Sequence, residues 1–492
     1  MEGRGAIVKE YIKLTVLGCY LIGLLFWTPS CAVNPVSGKQ ELMLLSEKDE
    51  MNLGHETDFQ IAQQYGVYED PKLTAYLQDI CQRLAKISHR PQLTYRFKIL
   101  DTPVVNAFAV PGGHVYFTRG ILATVSSEAE LAGLMGHEIG HITARHSAKQ
   151  YSKAQLTQLG LGVGAIFIDS SIFTGLAQFG VGMLFMRFSR DNEREADELG
   201  VEYSSKVGYD ATHMASFFET LERINPGSDR NGLPGWFSTH PSPENRVQTV
   251  RIQAKEWQQK LSHKDLIVHR DIYLRQIDGL LFGEDPRQGY VSENIFYHPV
   301  LRFQFPIPVK WKVNHRSSKV QMVSEGQDAV ILFSVEEAFS SSREASETFI
   351  AAKGASVIRS DSILLNGFPS QRIISDIQTQ QTVSRVMSTF IEKDKKVFVF
   401  HGLASRSLFP KVETSFEHSM RQFKELSDPK RTEVKPERIR IRTTRDPDTM
   451  ENALRSFGVQ NEKLKEMALL NGATLNQIIP ANTLIKVVEK GQ

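Results

Sequence analysis

From Ser127 onward, Leu131, Leu134, Met135 and Ile142 recur at helical intervals, and Ser127 with Glu130 has the spacing of a capping box. A helix with one face buried against a core is predicted there. Upstream, Val104–Val110 and His114–Thr118 read as two short strands broken by the turn signal Pro111-Gly112-Gly113. After about residue 265 the texture changes to short alternating runs. Leu301–Phe305, Ala329–Val335 and Lys396–Phe400 predict strands, with helices over Ser342–Lys353 and Thr414–Phe423. A charged, proline-containing linker, 427–437, leads to a last block. There Ile439–Thr443 and Leu484–Val488 are strand candidates flanking two short helices, Asp448–Phe457 and Asn461–Leu470. The predicted fold class is α+β: a mainly helical domain over 32–265 with a small β-sheet, a small α/β domain over 290–426, and a βααβ module over 438–490.

Two apolar stretches stand apart from this pattern. Arg4, Lys9 and Lys13 precede the uncharged run Leu14–Trp27, which ends in Thr28-Pro29-Ser30-Cys31, so residues 1–31 read as a secretory signal peptide. The run is short of the roughly 20 residues of a spanning helix, which makes an uncleaved anchor the weaker alternative. Cys31 follows a small residue, as at a bacterial lipoprotein cleavage site, although Thr28 stands where leucine is usual; ordinary cleavage after Ala32 is the alternative. The second stretch, Gln155 to Arg187, carries only Asp169 as a charge before Arg187. It reads either as a helical hairpin over a functional site, touching membrane or a membrane-protein client, or as a buried helix pair.

Composition narrows the setting. With 492 residues, 41% hydrophobic and 23% charged, the chain is long enough for about two to four globular domains. A net charge of +2 gives no sign of a nucleic-acid partner. Of the cysteines, Cys19 lies in the signal and Cys31 at its end, leaving Cys81 alone, so no disulfide framework is implied.

The candidate chemistry lies on the first predicted helix. His137-Glu138-Ile139-Gly140-His141 sets two imidazoles one turn apart on one face, with Glu138 projecting toward the water that a metal there activates, as in zinc peptidases. Metzincins would put a third histidine at 147 and a glycine at 144, where this chain has Ser147 and Ala144. The gluzincin layout takes a glutamate from a separate helix, and Asn192–Glu198 provides it. Glu193 and Asp197 are one turn apart, so the first can bind metal while the second accepts the free N–H of a ligand histidine. Without the upstream motif such a charged helix would read as a solvated face. Ser238-Thr239-His240-Pro241-Ser242-Pro243 is by itself only a loop with a helix-start signal. His146, five residues past His141, falls off the ligand face of a continuous helix and reads as a polar neighbour.

Together with Asn34–Lys39, Asn106–Gly113 and Thr239-His240-Pro241 followed by Arg246, these motifs make residues 32 to 260 resemble the CAAX-prenyl-protease and HtpX-like membrane-associated zinc peptidases, particularly their soluble periplasmic BepA-like branch. The resemblance implies a zincin-type domain in which His137, His141 and Glu193 hold one Zn2+ and Glu138 is the general base. Asp197 would support a ligand. His240 or Arg246 would donate to the developing oxyanion; alternatively His240 takes the fourth zinc position and holds the enzyme silent. Asn106, Ala107, Phe108 and Ala109 would form the active-site edge, to which a peptide adds as an extra strand; the alternative is that this hairpin is merely core. Cys31-Ala32-Val33-Asn34-Pro35 resembles the start of lipoprotein members of the family.

Residues 290–426 resemble small PsbP/Mog1-like α/β domains, with no chemistry in view. Residues 438–490 resemble a LysM module, a type that usually binds glycans such as peptidoglycan, though Pro447-Asp448-Thr449 replaces the usual Gly-Asp-Thr opening; a purely structural cap is the alternative. The function implied is a zinc endopeptidase of the bacterial envelope, lipid-anchored in the periplasm at the outer membrane, cleaving misfolded or stalled envelope proteins. A chaperone or assembly factor for outer-membrane proteins, largely self-inhibited as a protease, is the alternative. Implied partners are the outer-membrane assembly machinery, peptidoglycan and the membrane itself.

Overall fold

Short-range capping signals explain where the first helices begin. In the computed structural model, which describes residues 31–158, 187–224, 235–316, 319–378 and 383–491, strands β1 (Cys31–Val33) and β2 (Gln40–Leu42) form a small antiparallel pair. Helix α1 (Glu47–Tyr65) then starts at Ser46, which exchanges capping hydrogen bonds with Asp49. Helix α2 (Pro71–Lys86) is capped by Asp70 with proline at its first position. The predicted signal segment 1–30 and most of the apolar stretch 155–187 lie outside the described residues. Among those described, no helix is long and apolar enough to cross a membrane.

A three-stranded sheet follows: β3 (Arg96–Leu100), β4 (Ala107–Val110) and β5 (His114–Thr118) in the order β3-β5-β4, with β4 antiparallel to β5 at the edge. The predicted first strand began at Val104, but the observed one begins at Ala107. Before Ala107 the pairing passes through Thr118, whose amide donates to the Asn106 carbonyl while its hydroxyl accepts from Asn106 N and donates to the Val104 carbonyl. Gly112 and Gly113 adopt φ of 82° and 96° in the intervening turn, a region that favours glycine.

Helix α3 (Arg119–Thr124) leads into α4 (Glu128–Thr143), the helix of the His-Glu motif. Ser127 caps it as expected through Glu130 N, while the Glu130 carboxylate reaches the Ser126 amide instead of closing the box on Ser127. Every residue of α4 is buried, not one face alone. The helix is the axis of the domain, packed by α2, the sheet and the later helices α6 (Arg190–Val207), α7 (Thr212–Ile224) and α10 (Arg270–Gln276). Helix α5 (His146–Gln158) follows α4 directly; a single turn α8 (Trp236–Thr239) and helix α9 (Arg246–Leu261) precede α10.

The remainder divides by core. Between 290 and 425 a seven-stranded antiparallel sheet runs in the order Lys312–Arg316, Lys319–Val323, Ala329–Glu336, Lys396–Ser405, Val383–Lys393, Phe368–Gln378, Ser356–Leu365. It is covered by helices Ser342–Lys353 and Phe409–Arg421, and has its own phenylalanine-rich core including Phe303, Phe305, Phe333, Phe400 and Phe423. The C-terminal block shows the βααβ order: strand Glu437–Thr443, helices Met450–Ser456 and Leu464–Leu470, and strand Leu484–Lys490 paired with the first. Its Met450, Leu454, Met467 and Ile485 belong to the same buried cluster as Leu131, Met135 and Met214 of the helical domain. At roughly 1.5–3 kcal/mol for each large apolar side chain buried, that joint core makes the two segments one packing unit. Lys486, fully buried, extends across the junction and donates to the carbonyls of Ala123, Thr124 and Val125, just ahead of α4.

Candidate metal centre

The close crossing of α4 and α6 brings the candidate ligands together. A Cβ on Gly136 would lie 3.1 Å from the Gly200 Cα, one on Gly200 would lie 2.9 Å from the Gly133 carbonyl oxygen, and one on Gly140 would lie 3.3 Å from the Ala196 Cα. Small residues thus let the two backbones approach until Glu193, one turn inside α6, faces His137 and His141. His240 enters from the end of α8, its amide bonded to the Trp236 carbonyl.

The donor atoms of His137, His141, Glu193 and His240 all lie within 4.8 Å of one another, and all four residues are buried. His137 Nε2 is 3.1 Å from His141 Nε2 and 3.4 Å from His240 Nδ1. Glu193 Oε1 is 3.1 Å from His240 Nδ1 and 3.5 Å from His141 Nε2, and its Oε2 is 3.6 Å from His137 Nε2. Four donors around a tetrahedral zinc with bonds of about 2.0–2.1 Å stand roughly 3.3 Å apart, so the spacing fits that ion. The protonation pattern fits as well. His137 Nδ1 lies 2.9 Å from Asp197 Oδ1, which fixes the proton there and leaves Nε2 a bare lone pair facing the others. Glu193 Oε2 and His240 Nε2 are buried with no hydrogen-bond partner, as are both oxygens of Glu138. Converging buried lone pairs are costly without a cation, and two to three imidazoles with one carboxylate suit zinc.

The electrostatics follow from burial. Burial raises the Glu138 carboxyl above its usual range, with nearby His240 and His137 opposing. Burial, then the neighbouring histidines, holds the His141 imidazole well below its usual value. Burial would raise Asp197, but the Arg246 charge and the His137 hydrogen bond outweigh it and keep this carboxyl low. Burial would lower His240, yet Glu193 and Glu138 outweigh it and raise this imidazole.

The remaining expected site residues are distributed around this centre. Glu138 Oε1 sits 3.8 Å from His240 Nε2. Arg246, expected as an oxyanion donor, has its Nη2 committed to Asp197 at 2.6 Å and lies 3.5 Å from Glu193 Oε2, with its guanidinium 3.8 Å from the Phe218 ring centre. Ala109 and Val110 line one crevice with His141, placing the open edge of β4 beside the centre, whereas Asn106, Ala107 and Phe108 are buried where that strand begins. Cys31 starts β1, paired with Leu42.

Aromatic residues that the sequence did not single out clamp two of the imidazoles. Trp236 stacks on His240 with centroids 4.2 Å apart at 21°, and Phe188 stacks on His141 at 4.2 Å and 25°. Phe188 N also donates to the Thr239 carbonyl, tying the start of α6 to the His240 turn. The position of Trp236, one helical turn before His240, was the available signal.

Comparison with known proteins agrees with this geometry. Residues 71–254 match the model of Peptidase family M48. The chain is similar to the Beta-barrel assembly-enhancing protease of Escherichia coli (strain K12), 28% identical over 263 residues covering 51% of this chain and 53% of that protein. It is also similar to the Putative beta-barrel assembly-enhancing protease of Vibrio cholerae, 30% over 200 residues covering 39% and 41%, and to human mitochondrial Metalloendopeptidase OMA1, 27% over 270 residues covering 49% and 51%. The chain spans about half the length of these curated relatives. Among solved structures, cyanobacterial PsbP from Synechocystis sp. PCC 6803 matches 28% of this chain and 96% of its own, with 12% identity and a TM-score of 0.24. Mog1p of Saccharomyces cerevisiae matches 28% and 97%, with 9% identity and a TM-score of 0.23.

Proposed function

We propose that the Peptidase family M48 domain formed by residues 71–254 makes this protein a zinc-dependent endopeptidase of the bacterial cell envelope, acting on unfolded or misassembled envelope proteins. The observation that carries the reading is the buried four-donor cluster with unpartnered Glu138 at its margin. His137, His141 and Glu193 hold the ion, and His240 offers a fourth donor. Zinc bound there supplies a Lewis acid that makes water acidic near neutral pH and polarises a peptide carbonyl. Glu138, its pKa raised by burial, takes a proton from water and delivers it to the departing amine. Asp197 fixes the His137 tautomer, and Arg246, hydrogen-bonded to Asp197 and 3.5 Å from Glu193 Oε2, favours the ionised form of the Asp197 carboxyl. The open edge of β4 binds an extended substrate through its backbone, which suits clients selected for being unfolded.

Two relatives carry beta-barrel assembly in their names, which supports clients and partners drawn from outer-membrane assembly. The apolar run ending at Cys31 supports export to the periplasm and lipid anchoring at the outer membrane. The LysM-like reading of 438–490 rests on its βααβ order, and retention of the full chain on peptidoglycan, lost when that surface is altered, tests it. A second reading, an assembly factor whose protease is held silent, is favoured by one observation: His240 Nδ1 stands among the ligand atoms, 3.1 Å from Glu193. The primary reading is tested by metal analysis with a casein assay. One zinc per chain, casein cleavage abolished by a chelator and restored by zinc, and loss of zinc in His137→Ala are expected. A chain that cleaves casein equally well without zinc would refute it.

A further inference from the structure

His146 touches His141 although its spacing points it elsewhere. In a continuous helix a residue five positions past His141 points about 140° away from it. Helix α4 ends at Thr143, however, and Arg145 takes the left-handed backbone region at φ 56° before α5 begins at His146. That break is held by buried ion pairs: Arg145 Nε donates to Glu50 Oε1 at 2.6 Å, and Arg90 Nη1 donates to Glu50 Oε2 at 3.1 Å. The chain therefore turns the His146 ring back onto the ligand. His146 Nδ1 lies 2.9 Å from His141 Nδ1, and its Nε2 lies 3.0 Å from Glu195 Oε2. His146 is buried, while the Glu195 side chain is 28% exposed on α6, two residues past Glu193.

We propose that Glu195 and His146 form a positioning relay for His141, in which Glu195 accepts from His146 Nε2–H and His146 Nδ1 accepts from His141 Nδ1–H. It rests on the reading of His141 as a zinc ligand. Proton placement leaves one consistent arrangement. His141 turns Nε2 toward His137, Glu193 and His240, so that nitrogen is bare and the proton sits on Nδ1. The Nδ1–Nδ1 contact then makes His146 the acceptor, and its own proton on Nε2 meets a carboxylate. The carboxylate raises the basicity of His146, which in turn strengthens His141 as a donor, as outer carboxylates do for metal-bound histidines. His141 thereby gains through a second imidazole what His137 gains directly from Asp197.

The test is zinc affinity of the full chain, read by competition with a chromogenic chelator and independent of proteolysis. His146→Phe keeps a ring against His141 and removes the acceptor; binding about 10- to 100-fold weaker than wild type is expected. Glu195→Ala, at a half-exposed position, is expected to weaken binding by roughly 2- to 10-fold. In His146→Gln the amide oxygen can accept from His141 while the amide nitrogen donates to Glu195, so partial recovery relative to His146→Phe is expected. The metal-free melting temperature of Glu195→Ala should match wild type, separating the relay from general stability. Wild-type zinc affinity in both His146→Phe and Glu195→Ala overturns the relay and leaves the peptidase reading intact. Zinc binding weakened as expected in a chain that cleaves nothing leaves the relay standing and removes the peptidase reading.

Discussion

Gly200 of α6 rests against Gly136 of α4, and a Cβ on Gly200 would also come within 3.0 Å of the His137 amide. This contact sets how far Glu193 stands from the two histidines of the motif. Gly200→Val is expected to force the helices apart, losing zinc binding by at least about tenfold and costing about 1–3 kcal/mol of stability through overpacking. Zinc stoichiometry and a urea midpoint measured on the same preparation check both effects.

Lys486 ties the last strand to the entry of α4, the helix of the His-Glu motif, through three carbonyls. Lys486→Met leaves those buried acceptors unpaired, and a loss of about 3 kcal/mol is expected, with the helical domain and the C-terminal block still melting together. In a Trp311→Phe background, a urea titration read by the fluorescence of Trp236 and Trp257 follows the helical domain, and amide hydrogen exchange of the strand Leu484–Lys490 in the same titration follows the C-terminal block. Two separate transitions would contradict the joint core.

His114 in β5 is buried with neither ring nitrogen hydrogen-bonded, and burial pushes its pKa down from 6.5 to about 4. Because the folded state resists the proton that the unfolded chain takes up near 6.5, this group's contribution is fully present above that pH and is lost as pH falls toward 4. A decline of about 2 kcal/mol between pH 7 and pH 5 is expected, and His114→Leu should flatten it. Equal slopes in wild type and variant would exclude His114 as the source.

How much was legible in the sequence depended on the range of the interaction. The cap at Ser127, the 137–141 motif, the Glu193/Asp197 pair and the Pro111-Gly112-Gly113 turn are set by neighbours within a turn or two, and each appears where expected. His146 was read as a polar neighbour rather than a ligand, and it stands outside the four-donor cluster, but its contact with His141 was not legible because the break at Arg145 depends on Glu50, far away in the chain. Arg246 was expected as a possible donor to the developing oxyanion, yet its hydrogen bond goes to Asp197, a pairing that the packing of α9 on α6 creates. The long strand Ser356–Leu365 was missed because it is an exposed edge rich in serine and charge, with no apolar alternation to announce it.

His240 bears on the central claim most directly, since its Nδ1 stands among the zinc donors and its Nε2 lies 3.8 Å from Glu138. The decisive measurement is casein cleavage by zinc-loaded wild type, His240→Ala, and His240→Ala combined with Glu138→Gln. The expected result is faster cleavage by His240→Ala than by wild type and none by the double variant, with zinc retained in all three. Wild-type and His240→Ala chains that both keep their zinc and cleave nothing, or a double variant as active as the single one, would contradict the assignment of this centre to Glu138-dependent peptide hydrolysis.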